Sequence, residues 1–136
     1  MTRALLDTSV LLLPPARLAV ATAGYDELAI SVATVGEVEH GLLAAGTDWE
    51  LRFRRDLAHR TMLRLFKVLP FDRAAAREYA KVCVLVRQHG RTHRRRAVDL
   101  MIAATASAHA VPLITANAED LRGAEALVEI IAVNAS

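Results

Sequence analysis

The chain has few of the features that mark secreted, membrane-spanning or disulfide-bonded proteins. It contains one cysteine in 136 residues, so no disulfide can form within the chain, and Cys83 lies among Val and Leu as a core thiol does. The apolar stretch at residues 100–114 is too short to cross a bilayer and contains Thr, Ser, His and Pro. The first residues show no secretion signal. We therefore expect a soluble cytoplasmic protein with no membrane partner.

Lysine is also scarce: the chain contains only Lys67 and Lys81. The formal net charge of +2 is by itself a weak argument for a nucleic-acid partner. The distribution of arginine says more, because the run RQHGRTHRRR at residues 87–96 stands just before an isolated acid, Asp99. Most charge runs are solvated loops, but the neighbouring acid makes this one a candidate for function.

Apolar runs typical of strands alternate along the chain with helical patterns. This alternation predicts an α/β sandwich around a parallel sheet, and the length suits one domain over residues 1–136. Within the helix expected at residues 72–90, the apolar stripe is Ala76, Tyr79, Ala80, Cys83 and Val86. The predicted strands lie at residues 4–7, 28–33, 66–71, 111–116 and 127–133, and the other helices at 35–46, 49–65 and 98–110.

Four acids fall where the carboxyl ends of parallel strands should meet: Asp7, Glu37, Asp99 and Asp120. Each has a plain structural explanation. Thr34 and Glu37 match a capping box, Asn117 and Asp120 have cap spacing, and Asp99 near a helix start gains from the helix dipole. Asp7 is the acid that a cap explains worst, because it follows a strand directly and apolar residues flank it.

Several carboxylates at one edge would repel one another unless a cation neutralised them. Ligands that are all oxygen suit Mg²⁺ or Mn²⁺, and the absence of a Cys pair or an H-E-x-x-H sequence argues against zinc. Glu37 and His40 form one E-x-x-H, but a di-iron bundle needs two of them, so we interpret His40 as an ordinary helix residue.

Together these segments resemble the PIN-domain ribonucleases, and most closely the VapC toxins of bacterial toxin–antitoxin pairs. The resemblance covers almost the whole chain, and the ordered set of acids makes it specific. A short Pro14-Pro15 segment and an abbreviated first helix depart from the family pattern. The matching segments are LLDTSV, the S-x-x-T-x-x-E-x-x-x-G pattern from Ser31 to Gly41, LPFDRAAAREYA, VDLMIAATA and LITANAEDL.

The resemblance implies a PIN-like three-layer α/β/α sandwich whose central, mostly parallel sheet has four or five strands. It also implies an Mg²⁺- or Mn²⁺-dependent endoribonuclease. The implied catalytic and metal-binding residues are Asp7, Glu37, Asp99 and Asp120. The family places the fourth acid at either of two positions, and we assign it to Asp120. Side chains expected to orient the metal or its water are Ser9, Thr115 and Asn117.

The expected substrate is RNA, and the arginines would hold its phosphates without reading its bases. The RNA-binding candidates are Arg91, Arg94, Arg95 and Arg96. The resemblance further implies a homodimer, a cognate VapB-like antitoxin and a higher assembly with that antitoxin. Residues 11–13 and the helix at 51–65 are candidate contact surfaces, although burial in the core explains the first group equally well.

Three other functions fit the sequence less well. A phosphoacceptor receiver domain would have paired acids after the first strand, where only Asp7 stands. A haloacid-type phosphatase would have D-x-D there, but Ser9 takes the place of the second acid. A catalytically inactive PIN-like module that binds RNA or a partner protein is the strongest alternative, and an incomplete set of acids would have favoured it.

Overall fold

A computed structural model describes residues 2–90 and 96–134 of the chain. Five strands in these residues form one sheet in the order β3-β2-β1-β4-β5, and every neighbouring pair is parallel. The strands are β1 (Arg3–Leu6), β2 (Glu27–Ser31), β3 (Lys67–Leu69), β4 (Leu113–Thr115) and β5 (Ile130–Ala132). The five strand-like runs of the sequence are thus confirmed as strands: β1 is shifted by one residue from the predicted 4–7, and the other four are shorter than predicted.

Helices connect the strands and cover both faces of the sheet. In the described residues they are α1 (Thr8–Leu11), α2 (Pro15–Thr22), α3 (Val32–Ala44), α4 (Trp49–Leu65), α5 (Arg73–Gln88) and α6 (Ala97–Ala108). Two short 3-10 helices, Ala118–Leu121 and Ala124–Ala126, lie between β4 and β5. Gly46 and Gly90 follow α3 and α5 with positive φ, the left-handed conformation that often ends a helix.

Side chains of β1 alternate between two separate cores. Leu5 packs in the core that includes residues of α5 and α6, whereas Ala4 and Leu6 pack in the core that includes Met62 of α4. The side chains of Ala4, Leu5 and Leu6 are fully buried. Because a strand with both faces buried must lie between two layers, the three-layer α/β/α sandwich is confirmed.

Helix α3 begins three residues earlier than the sequence pattern predicts. Its N-cap is Ser31, whose hydroxyl accepts a hydrogen bond from the backbone N–H of Ala33 at 3.1 Å. Thr34 lies inside the helix and is fully buried. The capping-box interpretation of Thr34 and Glu37 is therefore wrong, because an earlier hydroxyl already caps the helix. The Glu37 carboxylate is consequently available for another role.

The apolar stripe of α5 is also displaced from the prediction. Ala76 and Ala80 are exposed, whereas Ala75, Val82 and Val86 are buried. Tyr79 and Cys83 pack against the same core, as expected. The alanine-rich start of the helix allowed either assignment, because an alanine matches a buried position and an exposed one almost equally well.

The described residues contain no helix that is both long enough and apolar enough to span a membrane.

Candidate functional site

The four acids singled out in the sequence approach one another at the carboxyl edge of the sheet. Asp7 follows β1, the central strand, and Glu37 lies on α3, which follows the neighbouring strand β2. Asp120 lies in the 3-10 helix after β4, the other neighbour of β1. Asp99 stands in the first turn of α6. The parallel strands on either side of β1 therefore bring acids from distant parts of the sequence to one edge of the sheet.

Asp7 is the most deeply buried of these acids, with 2% of its surface exposed. It occupies the N-cap position of α1, yet its side chain makes no capping hydrogen bond. Instead its Oδ2 accepts hydrogen bonds from the hydroxyls of Ser9 at 2.5 Å and Thr115 at 2.9 Å. These two bonds fix the carboxylate and leave Oδ1 for another ligand. A buried carboxylate without a cationic partner is costly, so a ligand of positive charge would stabilise Asp7.

The hydroxyls beside Asp7 are themselves held by the loop after β4. Ser9 Oγ accepts a hydrogen bond from the backbone N–H of Ala116 at 3.1 Å, and Thr115 Oγ1 accepts one from that of Asn117 at 2.9 Å. The structure thus joins Ser9 and Thr115 to Asp7. Asn117 contributes its backbone to this network, while its side chain is exposed.

Glu37 is held by a hydroxyl that the sequence analysis did not single out. Thr8 Oγ1 donates to Glu37 Oε1 at 2.6 Å and lies 3.0 Å from Thr34 Oγ1. Thr8 directly follows Asp7, so a single turn of chain supports two of the four acids. The signal that could have found Thr8 is its place in the D-T-S sequence at the end of the central strand.

The pKa of Asp99 depends on the charges of the other three acids. Burial, followed by the negative charges of Asp7, Glu37 and Asp120, raises the pKa of the Asp99 carboxyl to about 6, while Arg96 acts in the opposite direction. Within the described residues, the Asp99 side chain makes no hydrogen bond. The negative charge of Asp99 is therefore unfavourable in this environment, and a proton or another cation would stabilise the carboxyl group.

Asp120 is the acid that faces a positive charge of the chain itself. Its Oδ1 lies 3.1 Å from Nη1 of Arg96, the residue at the N-cap position of α6. Arg96, predicted as an RNA contact, is thus brought into the acidic cluster. The other three arginines predicted to bind RNA, Arg91, Arg94 and Arg95, lie outside the described residues.

The donor set suits a hard divalent cation, because it consists of carboxylate and hydroxyl oxygens. As the side chains stand, no three His, Cys, Asp or Glu residues in the described ranges are grouped closely enough to hold a metal ion together. Three of the acids contact other side chains of the protein. Asp7 and Glu37 accept hydrogen bonds from hydroxyls, and Asp120 pairs with the guanidinium of Arg96. Each of these contacts uses one oxygen of its carboxylate.

A second feature lies on the other face of the molecule from α5 and α6. Helices α1, α2 and α4 border a groove of about 1100 Å³. Its lining is largely apolar and includes Leu12, Leu18, Leu57 and Leu65, while Arg54, Arg55 and Arg64 supply positive charge. Leu12, Leu57 and Leu65 are exposed. The two contact surfaces expected from the sequence, residues 11–13 and 51–65, thus line the same groove.

Known proteins share this fold and much of this sequence. A family model described as the PIN domain matches residues 4–126. The chain is 40% identical over 110 residues to ribonuclease VapC5 of Mycobacterium tuberculosis (strain ATCC 25618 / H37Rv), and the alignment covers 79% of this chain and 78% of that protein.

Solved structures give the same result. The crystal structure of VapBC-5 from Mycobacterium tuberculosis, a member of the VapBC family of toxin–antitoxin systems, matches with a TM-score of 0.72 and 33% identity, covering 98% of this chain and 100% of that one. FitAcB from Neisseria gonorrhoeae matches with a TM-score of 0.73 and 26% identity, covering 94% and 96%. The chain therefore belongs to the PIN-domain family and, within it, to the VapC ribonucleases.

Proposed function

We propose that this protein is a metal-dependent endoribonuclease toxin that hydrolyses phosphodiester bonds of RNA in the cytoplasm and is inhibited by a cognate VapB-like antitoxin. The observation that carries the proposal is the meeting of four acids at one edge of the sheet, where burial and then the charges of Asp7, Glu37 and Asp120 raise the pKa of Asp99 to about 6. A cation would neutralise the repulsion that acts on Asp99, and RNA hydrolysis is a reaction that such a cation assists. Residues 1–136 would form one catalytic domain.

In this proposal Asp7, Glu37, Asp99 and Asp120 hold Mg²⁺ or Mn²⁺. When bound, the ion supplies an activated water and neutralises charge on the phosphate that reacts. Ser9 and Thr115 donate to Asp7 Oδ2, which leaves Oδ1 free for the ion. Thr8 likewise donates a hydrogen bond to Oε1 of Glu37 and leaves Oε2 for the ion. The hydroxyls thereby keep both carboxylates in one orientation before the substrate arrives, which lowers the cost of reaching the reactive geometry.

Arginine would contribute the attraction for RNA that the acidic cluster lacks. Carboxylates repel the phosphate backbone, and a guanidinium can hold a phosphate through two parallel hydrogen bonds. We assign this role to Arg96 together with Arg91, Arg94 and Arg95. Such contacts position the backbone without reading bases, so the choice of RNA would depend on its shape or on unstacked bases.

We assign the groove bordered by α1, α2 and α4 to the antitoxin. Its apolar lining fits the apolar face of an amphipathic segment, and its arginines fit acidic residues along the edge of that segment. The assignment is motivated by VapBC-5, whose structure resembles this chain and which is a member of the VapBC family of toxin–antitoxin systems. We further propose a homodimer, and a larger assembly once the antitoxin binds.

The antitoxin assignment is tested by a matched pair of substitutions. Leu57 lines the groove and Val84 lies on α5, and both are 47% exposed. Leu57→Glu should weaken binding of the cognate antitoxin at least tenfold by calorimetry, whereas Val84→Glu should leave it unchanged. Equal affinity for both variants would place the antitoxin elsewhere.

The nuclease assignment is tested by incubating purified, antitoxin-free protein with total bacterial RNA. Cleavage should occur with Mg²⁺ or Mn²⁺, stop in EDTA and be absent from a folded Asp7→Asn variant. Binding of RNA without cleavage, in the presence and absence of EDTA, would instead favour an inactive RNA-binding module.

A further inference from the structure

Arg96 is the one cationic side chain that the structure pairs with an acid of the cluster in the described residues. It precedes Asp99 by three residues at the start of α6, and its guanidinium lies 3.1 Å from Asp120 Oδ1. About 29% of the Arg96 side chain and 33% of the Asp120 side chain are exposed. The ion pair is therefore partly withdrawn from water, at the border of the acidic cluster.

A neighbouring ion pair shows that this contact is not an ordinary surface pair. Glu119 lies in the 3-10 helix that also contains Asp120, and Arg122 directly follows this helix. Nη2 of Arg122 lies 3.3 Å from Oε1 of Glu119, but 58% of the Arg122 side chain and 63% of the Glu119 side chain are exposed. Exposed pairs of this kind are screened by water and contribute little. The Arg96 guanidinium also acts on Asp99, a second acid of the cluster, whereas the Arg122 pair involves none of the four acids.

Arg96 therefore occupies the position of a counter-ion. Asp7 and Glu37 are held by neutral hydroxyls, which leave their negative charge uncompensated. The Oδ1 atom of Asp120 is instead paired with a positive charge. A guanidinium and a divalent cation would compete for this carboxylate, because both are attracted to the same negative charge.

We propose that Arg96 is a built-in counter-ion of the acidic cluster, which competes with a metal ion for Asp120. The inference rests on the proposed function, since it assumes that the cluster binds a divalent cation. Arg96 then acts as a positioning residue with two alternative partners. It pairs with Asp120 in the metal-free protein, and after release its guanidinium is available to a phosphate of the RNA.

Two consequences distinguish a counter-ion from a structural contact. If Arg96 only held Asp120 in place as a ligand, its loss would weaken metal binding. If Arg96 competes with the metal, its loss strengthens metal binding while weakening the affinity for RNA. The sign of the change in metal affinity therefore decides between the two roles without any measurement of catalysis.

The experiment measures Mn²⁺ binding to metal-free, full-length protein through the electron paramagnetic resonance signal of free Mn²⁺. We expect Arg96→Gln to bind Mn²⁺ about fivefold more tightly than wild type, the fold-change that an ion pair of ~1 kcal/mol represents. Arg96→Lys, which keeps the charge, should stay within about twofold of wild type. Arg122→Gln is the matched control and should not change the affinity. Arg96→Met serves as a second neutral variant if Arg96→Gln does not fold.

The possible results separate this inference from the proposed function. Tighter binding by the neutral variants, with a smaller effect in an Asp120→Asn background, supports the counter-ion. Unchanged or weaker binding by neutral Arg96 variants, with clear binding by wild type, overturns the counter-ion and leaves the metal site intact. Absence of Mn²⁺ binding from wild type and every variant would overturn both the inference and the proposed metal site.

Discussion

Replacing Asp99 by asparagine should stabilise the metal-free protein at neutral pH while removing a catalytic carboxylate. Burial and the charges of three other acids raise the pKa of Asp99 from 3.8 to about 6. The folded protein thus holds the Asp99 proton more tightly than the unfolded chain does. Wild-type stability should consequently fall as the pH rises from about 4 through 6, because the folded state must give up this proton. Asparagine carries no charge at any of these pH values.

The size of the effect follows from the two pKa values. Each pKa unit corresponds to about 1.4 kcal/mol, so the full difference would represent ~3 kcal/mol. Asp99 is partly exposed, and water screens part of this repulsion, so we expect ~1–2 kcal/mol. For a chain of this length that free energy corresponds to a rise in Tm of roughly 3–10 °C.

The assay is urea denaturation of wild type and Asp99→Asn in EDTA at pH 4, 6 and 8. The difference in the free energy of unfolding should be near zero at pH 4 and reach its full value above pH 7. Asp56→Asn is a suitable control, because Asp56 forms an exposed ion pair with Arg60 on α4, away from the cluster. This control should change the free energy of unfolding by less than about 0.5 kcal/mol. A variant at Asp99 that is less stable than wild type at pH 8, or a difference independent of pH, would refute the reasoning.

Two further predictions concern Thr8 and Gly123. Thr8→Val removes the hydroxyl that donates to Glu37, a bond to a charged group worth ~1.5–3 kcal/mol, so kcat should fall at least about tenfold while Thr8→Ser stays within about threefold. Equal losses in both variants would exclude the hydrogen bond as the cause. Gly123→Ala should lower the free energy of unfolding by at least ~2 kcal/mol in urea, because φ is +103° and the new Cβ would lie 2.6 Å from the Leu85 carbonyl oxygen. Gly36→Ala, whose Cβ would meet nothing within 4 Å, is the control, and a similar loss in both glycine variants would contradict the steric argument.

The layers of the fold were predictable because apolar runs and helical periodicity extend over many residues. Leu5 and Leu6 illustrate the reason, since adjacent apolar residues in a strand indicate that both faces of the sheet are covered. The start of α3 was harder to predict. Ser31 and Thr34 are both good N-caps, and only the end of the strand at Ser31 decides between them.

The candidate site was predictable at the level of its acids and not at the level of its contacts. Asp7 stood out because a charge within an apolar run needs a partner. The bond between Thr8 and Glu37 joins residues 29 positions apart, and its geometry depends on how α1 packs beside α3. The pairing of Arg96 with Asp120 likewise depends on where α6 and the segment after β4 meet. Such contacts arise from tertiary packing, so a local sequence pattern can point to a residue such as Thr8 but not to its partner.

The central claim, that four carboxylates act as one catalytic unit, is tested most directly by cleavage of one defined RNA with Mg²⁺ or Mn²⁺. The variants are Asp7→Asn, Glu37→Gln, Asp99→Asn and Asp120→Asn, with Glu119→Gln as an exposed neighbouring control. We predict that each of the first four, shown to be folded, loses cleavage almost completely, that pairs of them lose no more, and that the control cleaves at the wild-type rate. Cleavage at the wild-type rate by a folded variant at any of the four acids would contradict the claim.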